Sequence, residues 1–511
     1  MAKSRTVDKD LSKNCGTLLG NKPGAYRLDV AEIDYGGKSH GIAGYVQKVL
    51  FFEDIDKFGI TGWVELLDVD NLISGFMKKH TIVGQELLKL KFRTLGSHLP
   101  VDHTKHPLCI HKIENLRPYD QSTGSKSVST QQYRLHFCSP EVMNNDRIRV
   151  SQAYQDTYSE IVKDILKNHL HTRKDVWLEE TKDIHKVVIP NMHPFDAINW
   201  ILKRCRSKSN DVPNYNFYET SKGYRFKTMH NQAPSGKRGR SYDYQTKFTF
   251  SPTQNSGNYL KDMLTAKDYK FVRIGDTYSA INDGMFASKS IEHDSYYKNY
   301  TVNTLDYLID APIIKARYIK DKDAPIRKGS VYVPTGMAFE PQYPLNESVG
   351  FTEFPDSRIF LDSTGTHHAH DYVTSGGDVK TNDARRQPLQ TASWQMQHKH
   401  DRYTQLQIII NGISGLQVGD AIELETPHQG TDKSEPIDRR WSTSGYYIIR
   451  LGHKLDLRAA NPVYECVLDC SPKQMGRYTL PDNAKFSGKS DGRTGSLRDF
   501  KNKTERTVES P

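Results

Sequence analysis

The sequence predicts a mainly β protein with an α/β insertion, built as two antiparallel β-barrels with smaller inserted domains. Two patterns carry this. Period-2 alternation of apolar and polar residues recurs near both ends of the chain, broken by Gly, Asn and Asp turns, as strands with one buried face require. Between them lies a block where apolar residues recur at three- and four-residue spacing. Composition agrees: only 36% of residues are hydrophobic, and Tyr, at 28, is the commonest aromatic, suited to strands and interfaces.

Residues 1–20 read as a flexible polar arm, and no signal peptide is expected there. Residues 21–145 read as the first barrel. Trp63–Val69, Leu88–Arg93 and Tyr133–Phe137 alternate as strands, while Gly36-Gly37, Gly96-Ser97 and the Ser/Thr/Gly run 122–130 supply turns. A short helix fits Asp70–Lys79.

The period changes near Ser151, and residues 146–245 read as an α/β domain. Tyr154, Tyr158, Ile161, Ile165 and Leu166 make one helical stripe. A second helix starts at Pro194, favoured at a first helical position, with Asp196 at the positive helix end. Phe195, Ile198, Ile201, Leu202 and Cys205 form its apolar side, and Lys203, Arg204 and Arg206 suit its last turn. Tyr215–Tyr218 and Tyr224–Phe226 then form a hairpin about Ser221-Lys222-Gly223.

Residues 246–310 return to strands and open a second barrel, which resumes over 392–475. The Pro-, Gly- and Asp-rich stretch 311–391 reads as an inserted loop-rich domain whose one periodic element is Ser330–Val333. Residues 476–511 hold few large apolar side chains and read as a flexible tail.

The 511-residue chain is long enough for about two to four domains. No apolar run approaches the length of a membrane span, so no membrane partner is expected. The six cysteines show no disulfide spacing, which favours a reducing compartment. The net charge of +10 makes nucleic acid a partner to weigh. Its densest clusters, Lys203–Lys208 and Lys237–Arg240, are interleaved with acids and show no stacking aromatics nearby.

No nucleotide-binding loop, serine nucleophile elbow or H-E-x-x-H zinc motif occurs. Paired carboxylates such as Glu179-Glu180 and Glu423/Glu425 suit solvated faces. His103, His106, Cys109 and His111 carry ligand-type side chains but no complete zinc signature. His367, His368 and His370, with Asp371, form the densest histidine cluster. They are the candidates if any metal binds; the expectation is a polar loop with no metal, no cofactor and no catalytic residue.

The most ordered stretch is Tyr403–Cys470. It runs through an alternating Leu406/Ile408/Ile410 strand, a turn ending Gly419-Asp420, and a short strand carrying Ile422 and Leu424. A polar loop follows, then Gly445-Tyr446-Tyr447-Ile448-Ile449, His453, and a last strand with Cys466 and Val467. It reads as an antiparallel meander. Leu406, Ile408, Ile410, Ile422, Leu424, Ile448 and Val467 are expected to be buried, with Gly419 in a turn conformation other residues resist.

The order of these parts resembles the last barrel segment of the tail-hub proteins of contractile phages and the hub segment of type VI secretion spike proteins. There a Gly-Asp turn feeds a short strand before a "G-x-Y-x-V/I…x-H" strand; Gly419-Asp420, Gly445-Tyr446 and His453 occupy those places. The block Ile189–Arg204, followed by Asn216–Phe226, is similar to the small α/β domain of the same family.

The resemblance implies two tail-tube-like barrels per chain and a homotrimer acting as baseplate hub of a contractile injection system. Such a ring would join a three-fold central spike protein to a six-fold tail tube or tube initiator and contact baseplate wedge proteins. Tape-measure protein and DNA would pass through its lumen. It implies a virion location after assembly in the host cytoplasm. The alternatives are a nucleic-acid-binding β-barrel protein and a tail-associated cell-wall hydrolase.

Overall fold

A computed structural model describes residues 23–35, 37–69, 82, 84–118, 130–182, 184–209, 213–229, 246–251, 257–285, 287–294, 299–306, 358–363, 371–373, 379–381, 394–395, 398–399, 401–426, 446–458 and 463–472. The amino-terminal arm, the helix expected at 70–79, Ser330–Val333 and the carboxy-terminal tail lie outside these residues.

The first part of the chain is β1 (Tyr26–Tyr35), β2 (Lys38–Gly41), β3 (Val46–Asp54), β4 (Thr61–Asp68), β5 (Leu87–Thr94), β6 (Val101–Asp102), β7 (Leu108–Pro118) and β8 (Gln131–Cys138). Six of them make an antiparallel sheet in the order β1-β5-β7-β8-β4-β3. Strand β5 alternates strictly between half-buried and buried positions, so Leu88, Leu90 and Phe92 enter the core while Lys89, Lys91 and Arg93 face out.

The α/β module follows: α1 (Pro140–Asn145), β9 (Val150–Asp156), α2 (Tyr158–Asp164) running into a π-turn at Ile165–His169, β10 (Val176–Leu178), β11 (His185–Met192), α3 (Pro194–Leu202), β12 (Tyr215–Thr220) and β13 (Gly223–Thr228). Thr157 caps α2, its hydroxyl accepting from the Glu160 amide. Pro194 opens α3, and Asn145 Oδ1 accepts from the Phe195 amide at 2.8 Å. The helical stripe expected from Tyr154 begins only at Tyr158, because Tyr154 lies on β9, paired with Val187 of β11.

Next come β14 (Thr246–Phe250), α4 (Tyr259–Met263), β15 (Thr265–Arg273), α5 (Thr277–Asn282), β16 (Ala287–Asp294), β17 (Asn299–Asp306), β18 (Ile359–Ser363), β19 (Asp371–Val373), β20 (Val379–Thr381), β21 (Gln405–Asn411), β22 (Ala421–Glu425), β23 (Tyr446–Asp456) and β24 (Val463–Pro472). Strands β22-β23-β24-β21-β15-β14 close into a six-stranded barrel, β14 pairing back onto β22.

Three sequence expectations change here. Of residues 246–310, β14 and β15 enter the barrel, whereas β16 and β17 form a separate sheet with β18. Two short helices interrupt the expected strands: the side chains of Asn258 and Asp276 accept from backbone amides of the first turn and so start α4 and α5. Finally, 405–472 is not a simple meander. β21 pairs with β15 and β24, and β22 pairs with β23 and, in parallel, with β14. Alternation reveals a half-buried strand but not its neighbour.

The two β bodies share one apolar core, and the module has its own. Strand β12 is buried at every position between them: Phe217 belongs to the module core and Tyr218 to the barrel core.

Candidate functional site: the seam between the barrels and the module

Strand β23 is long enough to serve both β bodies. Tyr446 and Tyr447 pair with β22, whereas Arg450–Asp456 pair with Asp54–Lys48 of β3. A register shift between Ile448 and Arg450 separates the two regimes, as a bulge does when it re-aims a strand. Strand β24 lies alongside throughout and reaches the first sheet at its start, where the Tyr464 amide donates to Gly24 O at 2.9 Å.

His453 sits on the re-aimed half and points into the first core. Its ring centroid lies 5.8 Å from that of Phe51, 5.6 Å from Phe92 and 5.9 Å from Tyr464. Tyr464 Oη lies 2.7 Å from His453 Nδ1. Burial pushes the imidazole down to about 3, so it is neutral; Nδ1 then accepts the tyrosine proton and Nε2 carries its own. Among the described residues Nε2 has no hydrogen-bond partner.

Cys466 Sγ lies 3.3 Å from the same Nδ1, a pairing that in an open cleft would suggest a nucleophile and its base. The chemistry here opposes that. Both residues are fully buried, Nδ1 is already engaged, and burial pushes the thiol up to about 12. A thiol held protonated without solvent access is inert.

A second cluster joins three parts of the chain. Glu53 of β3 is fully buried. Oε1 accepts from the Ser221 amide in the β12–β13 turn at 2.7 Å, and Oε2 accepts from the Val418 amide in the turn before β22 at 3.1 Å. Gln417 ties the same two turns together, accepting from Arg225 Nη2 at 2.9 Å and donating to Ser221 Oγ at 3.2 Å.

A third contact set docks the module on the β3–β4 loop. Phe58 lies with ring centroids 5.3 Å from Phe195 and 5.9 Å from Phe217. Beside it, Lys174 Nζ lies 2.6 Å from both Glu141 Oε2 and Glu219 Oε1, while Glu219 Oε2 accepts from the Ile60 amide at 3.1 Å. Burial works against the Lys174 ammonium, but the two carboxylates outweigh it and hold it above its usual value. Losing Lys174 would be costly, since it would strand two buried carboxylates.

The sequence-predicted positions fall mostly along this seam. Ile408, Ile410, Ile422, Tyr446 and His453 are fully buried. Gly419 has φ +87° and donates to Ile448 O at 2.8 Å, so the turn needs the left-handed region there. Asp420 Oδ2 accepts from the Gln417 amide at 2.9 Å. Val467 is a correction: it is half-buried on the outer face, while Tyr464, Cys466, Leu468 and Cys470 point inward. Gly445, His367, His368 and His370 lie outside the described residues. His103 lies in the β6–β7 loop but is buried, 5.3 Å from the Phe51 ring. Among the described residues no three His, Cys, Asp or Glu side chains gather as a metal site.

Sequence reasoning missed Glu53, Tyr464, Lys174, Glu141 and Glu219. For Glu53 a signal exists: in Val49-Leu50-Phe51-Phe52-Glu53 the alternation places an acid on the inward face. The basic cluster also differs from expectation, since aromatics do lie beside it. Arg204 stacks 3.9 Å from the Trp200 ring, Lys203 lies 5.7 Å from that of Trp394, and Lys208 pairs with Glu180 at 2.8 Å.

No family model and no curated protein matches the chain. Solved structures similar to it include a tail protein from Neisseria meningitidis (9% identity, 88% of this chain and 96% of that one, TM-score 0.45). Another is the 43 kDa tail protein of prophage MuSo2 from Shewanella oneidensis (9% identity, 87% and 98% covered, TM-score 0.44). A component of the Escherichia coli type VI secretion system is also similar (10% identity, 89% and 79% covered, TM-score 0.34). Among the described residues no helix is long and apolar enough to cross a membrane.

Proposed function

We propose that this protein is a structural hub of a phage-type contractile tail baseplate: a homotrimeric ring joining a three-fold central spike to a six-fold tail tube. The observation that carries the reading is the shared strand β23. It fuses two β bodies side by side in one chain, so three copies would set six β bodies around an axis. A ring of that kind offers three-fold contacts on one side and quasi-six-fold contacts on the other. Wedge proteins would meet its rim, and tape-measure protein and DNA would pass through its lumen.

Two features support an assembly role. Strand β2 ends the large sheet, and its Lys38, Ser39 and Gly41 are exposed, leaving an edge that a neighbour can complete. The outward side chains of β5, Lys89, Lys91 and Arg93, likewise give the first sheet a polar outer face that a neighbouring copy can meet. Light scattering of the purified chain, with negative-stain imaging, tests the reading. The expected result is a three-fold ring with a central channel; a monodisperse monomer at micromolar concentration, with and without spike protein, overturns it.

A further inference from the structure

We propose that the Glu53 junction is a proton-operated latch: the charge state of this carboxyl sets how firmly the β12–β13 turn and the Leu416–Asp420 turn are held to the wall of the first sheet, and so how firmly the module sits on both β bodies. The inference does not depend on the hub reading.

The geometry has two parts. First, Glu53 accepts from backbone donors of both turns, Ser221 N and Val418 N, so its state is felt by the module and the closed barrel at once. Second, among the described residues no cation contacts it. On its own strand, the neighbouring Asp54 is paired with Arg450 of β23 at 2.8 Å. From the module, Arg225 is directed to Gln417, and Lys222 and Tyr218 belong to the same hairpin. From the turn before β22 comes a like charge, Asp420, and from β24 the neutral Tyr464 and Cys466. An ionised Glu53 is therefore a buried charge held by two amides and the Ser221 hydroxyl and opposed by a neighbouring acid.

Burial outweighs the Ser221 and Val418 amides and the Ser221 hydroxyl and, with Asp420, raises the Glu53 carboxyl to about 7. A carboxyl raised above its unfolded value favours the closed state while protonated. That contribution is complete below about pH 4.5 and is lost as pH rises through about 7. The latch is tight in mild acid and loosens in mild alkali, where the ionised group gains by meeting water.

Hydrogen exchange of the full-length protein, expressed as protection factors for the Ser221 and Val418 amides, reads the latch directly. Between about pH 5.5 and about pH 8.5, protection is expected to fall on the order of tenfold or more. Asp420→Asn, which removes the like charge and keeps an acceptor for Gln417 N, should move the fall to lower pH. Glu53→Gln should flatten it. If Glu53→Gln does not fold, the wild type and Asp420→Asn still decide. Protection unchanged across the range, or a fall at the same pH in Asp420→Asn, overturns the proposal.

Discussion

The hydroxyl of Tyr464 lies 2.7 Å from Nδ1 of His453, diagonally across the β23–β24 hairpin, inside the core of the first sheet. Both residues belong to the carboxy-terminal strands, yet the rings around them, Phe51 and Phe92, come from the amino-terminal part. The bond thus fixes how the end of the chain packs into its beginning. Tyr464→Phe would leave Nδ1 with only the weaker Cys466 thiol, 3.3 Å away, and cost about 0.5–1.5 kcal/mol in urea unfolding. Replacing both partners, Tyr464→Phe with His453→Phe, should recover part of that loss, because no polar atom is then stranded.

Acid should weaken the same core. Burial pushes both His453 and His103 down to about 3, with the Lys174 charge adding to the effect on His103. Each folded-state value lies below the ordinary one near 6.5, so the contribution is complete above about pH 6.5 and is lost as pH falls toward about 3, when the unfolded chain takes up protons first. Thermal unfolding midpoints should therefore drop below about pH 6.5. The double variant lacking His453 should drop less steeply.

Much of this architecture is legible in the residues themselves. Pro194 and the spacing of Phe195, Ile198, Ile201 and Leu202 mark α3 from end to end, because cap and stripe are both local. Leu88–Arg93 announces a strand for the same reason. Pairing partners are not local. Nothing in Thr246–Phe250 states that it will lie parallel to β22, and that pairing is what closes the barrel. The placement of Val467 is legible too, since it shares its face with Glu465 and Asp469, although its apolar side chain alone suggests burial. Glu53 stayed hidden because its partners are two backbone amides from turns distant in sequence.

Cysteine reactivity offers a test of how closed the cores are. Cys205, Cys466 and Cys470 are fully buried, and burial raises each thiol above its ordinary pKa. Cys109 is only half-buried. Under native conditions an alkylating reagent should modify Cys109 well before these three, read by peptide mass spectrometry. Early labelling of Cys466 would mean that the His453 pocket opens to solvent.

Gly412 follows β21 and donates from its amide to Tyr464 O at 2.8 Å. A Cβ there would fall 2.0 Å from Tyr464 Cγ. The ring cannot swing away without breaking its bond to His453. Gly412→Ala is therefore expected to cost about 1–3 kcal/mol through overpacking. A variant with an unchanged unfolding midpoint would show that the Tyr464 ring is not clamped.

Ile408 occupies the centre of β21, between Tyr269 of β15 and Leu468 of β24, and is fully buried in the closed barrel. Burying such a side chain is worth about 1.5–3 kcal/mol. Ile408→Asp forfeits that and places a carboxylate in an apolar cluster that includes Leu406, Ile410 and Leu468. The added cost is several kcal/mol, set against a domain stability of roughly 5–15 kcal/mol. Because the barrel shares β23 with the first sheet, its loss would also withdraw the strand that pairs with β3. The variant should therefore fail to assemble at all, by light scattering and negative-stain imaging, rather than assemble with one damaged face. If the protein forms the proposed ring, native-sized rings from Ile408→Asp would mean that the closed barrel does not carry the assembly.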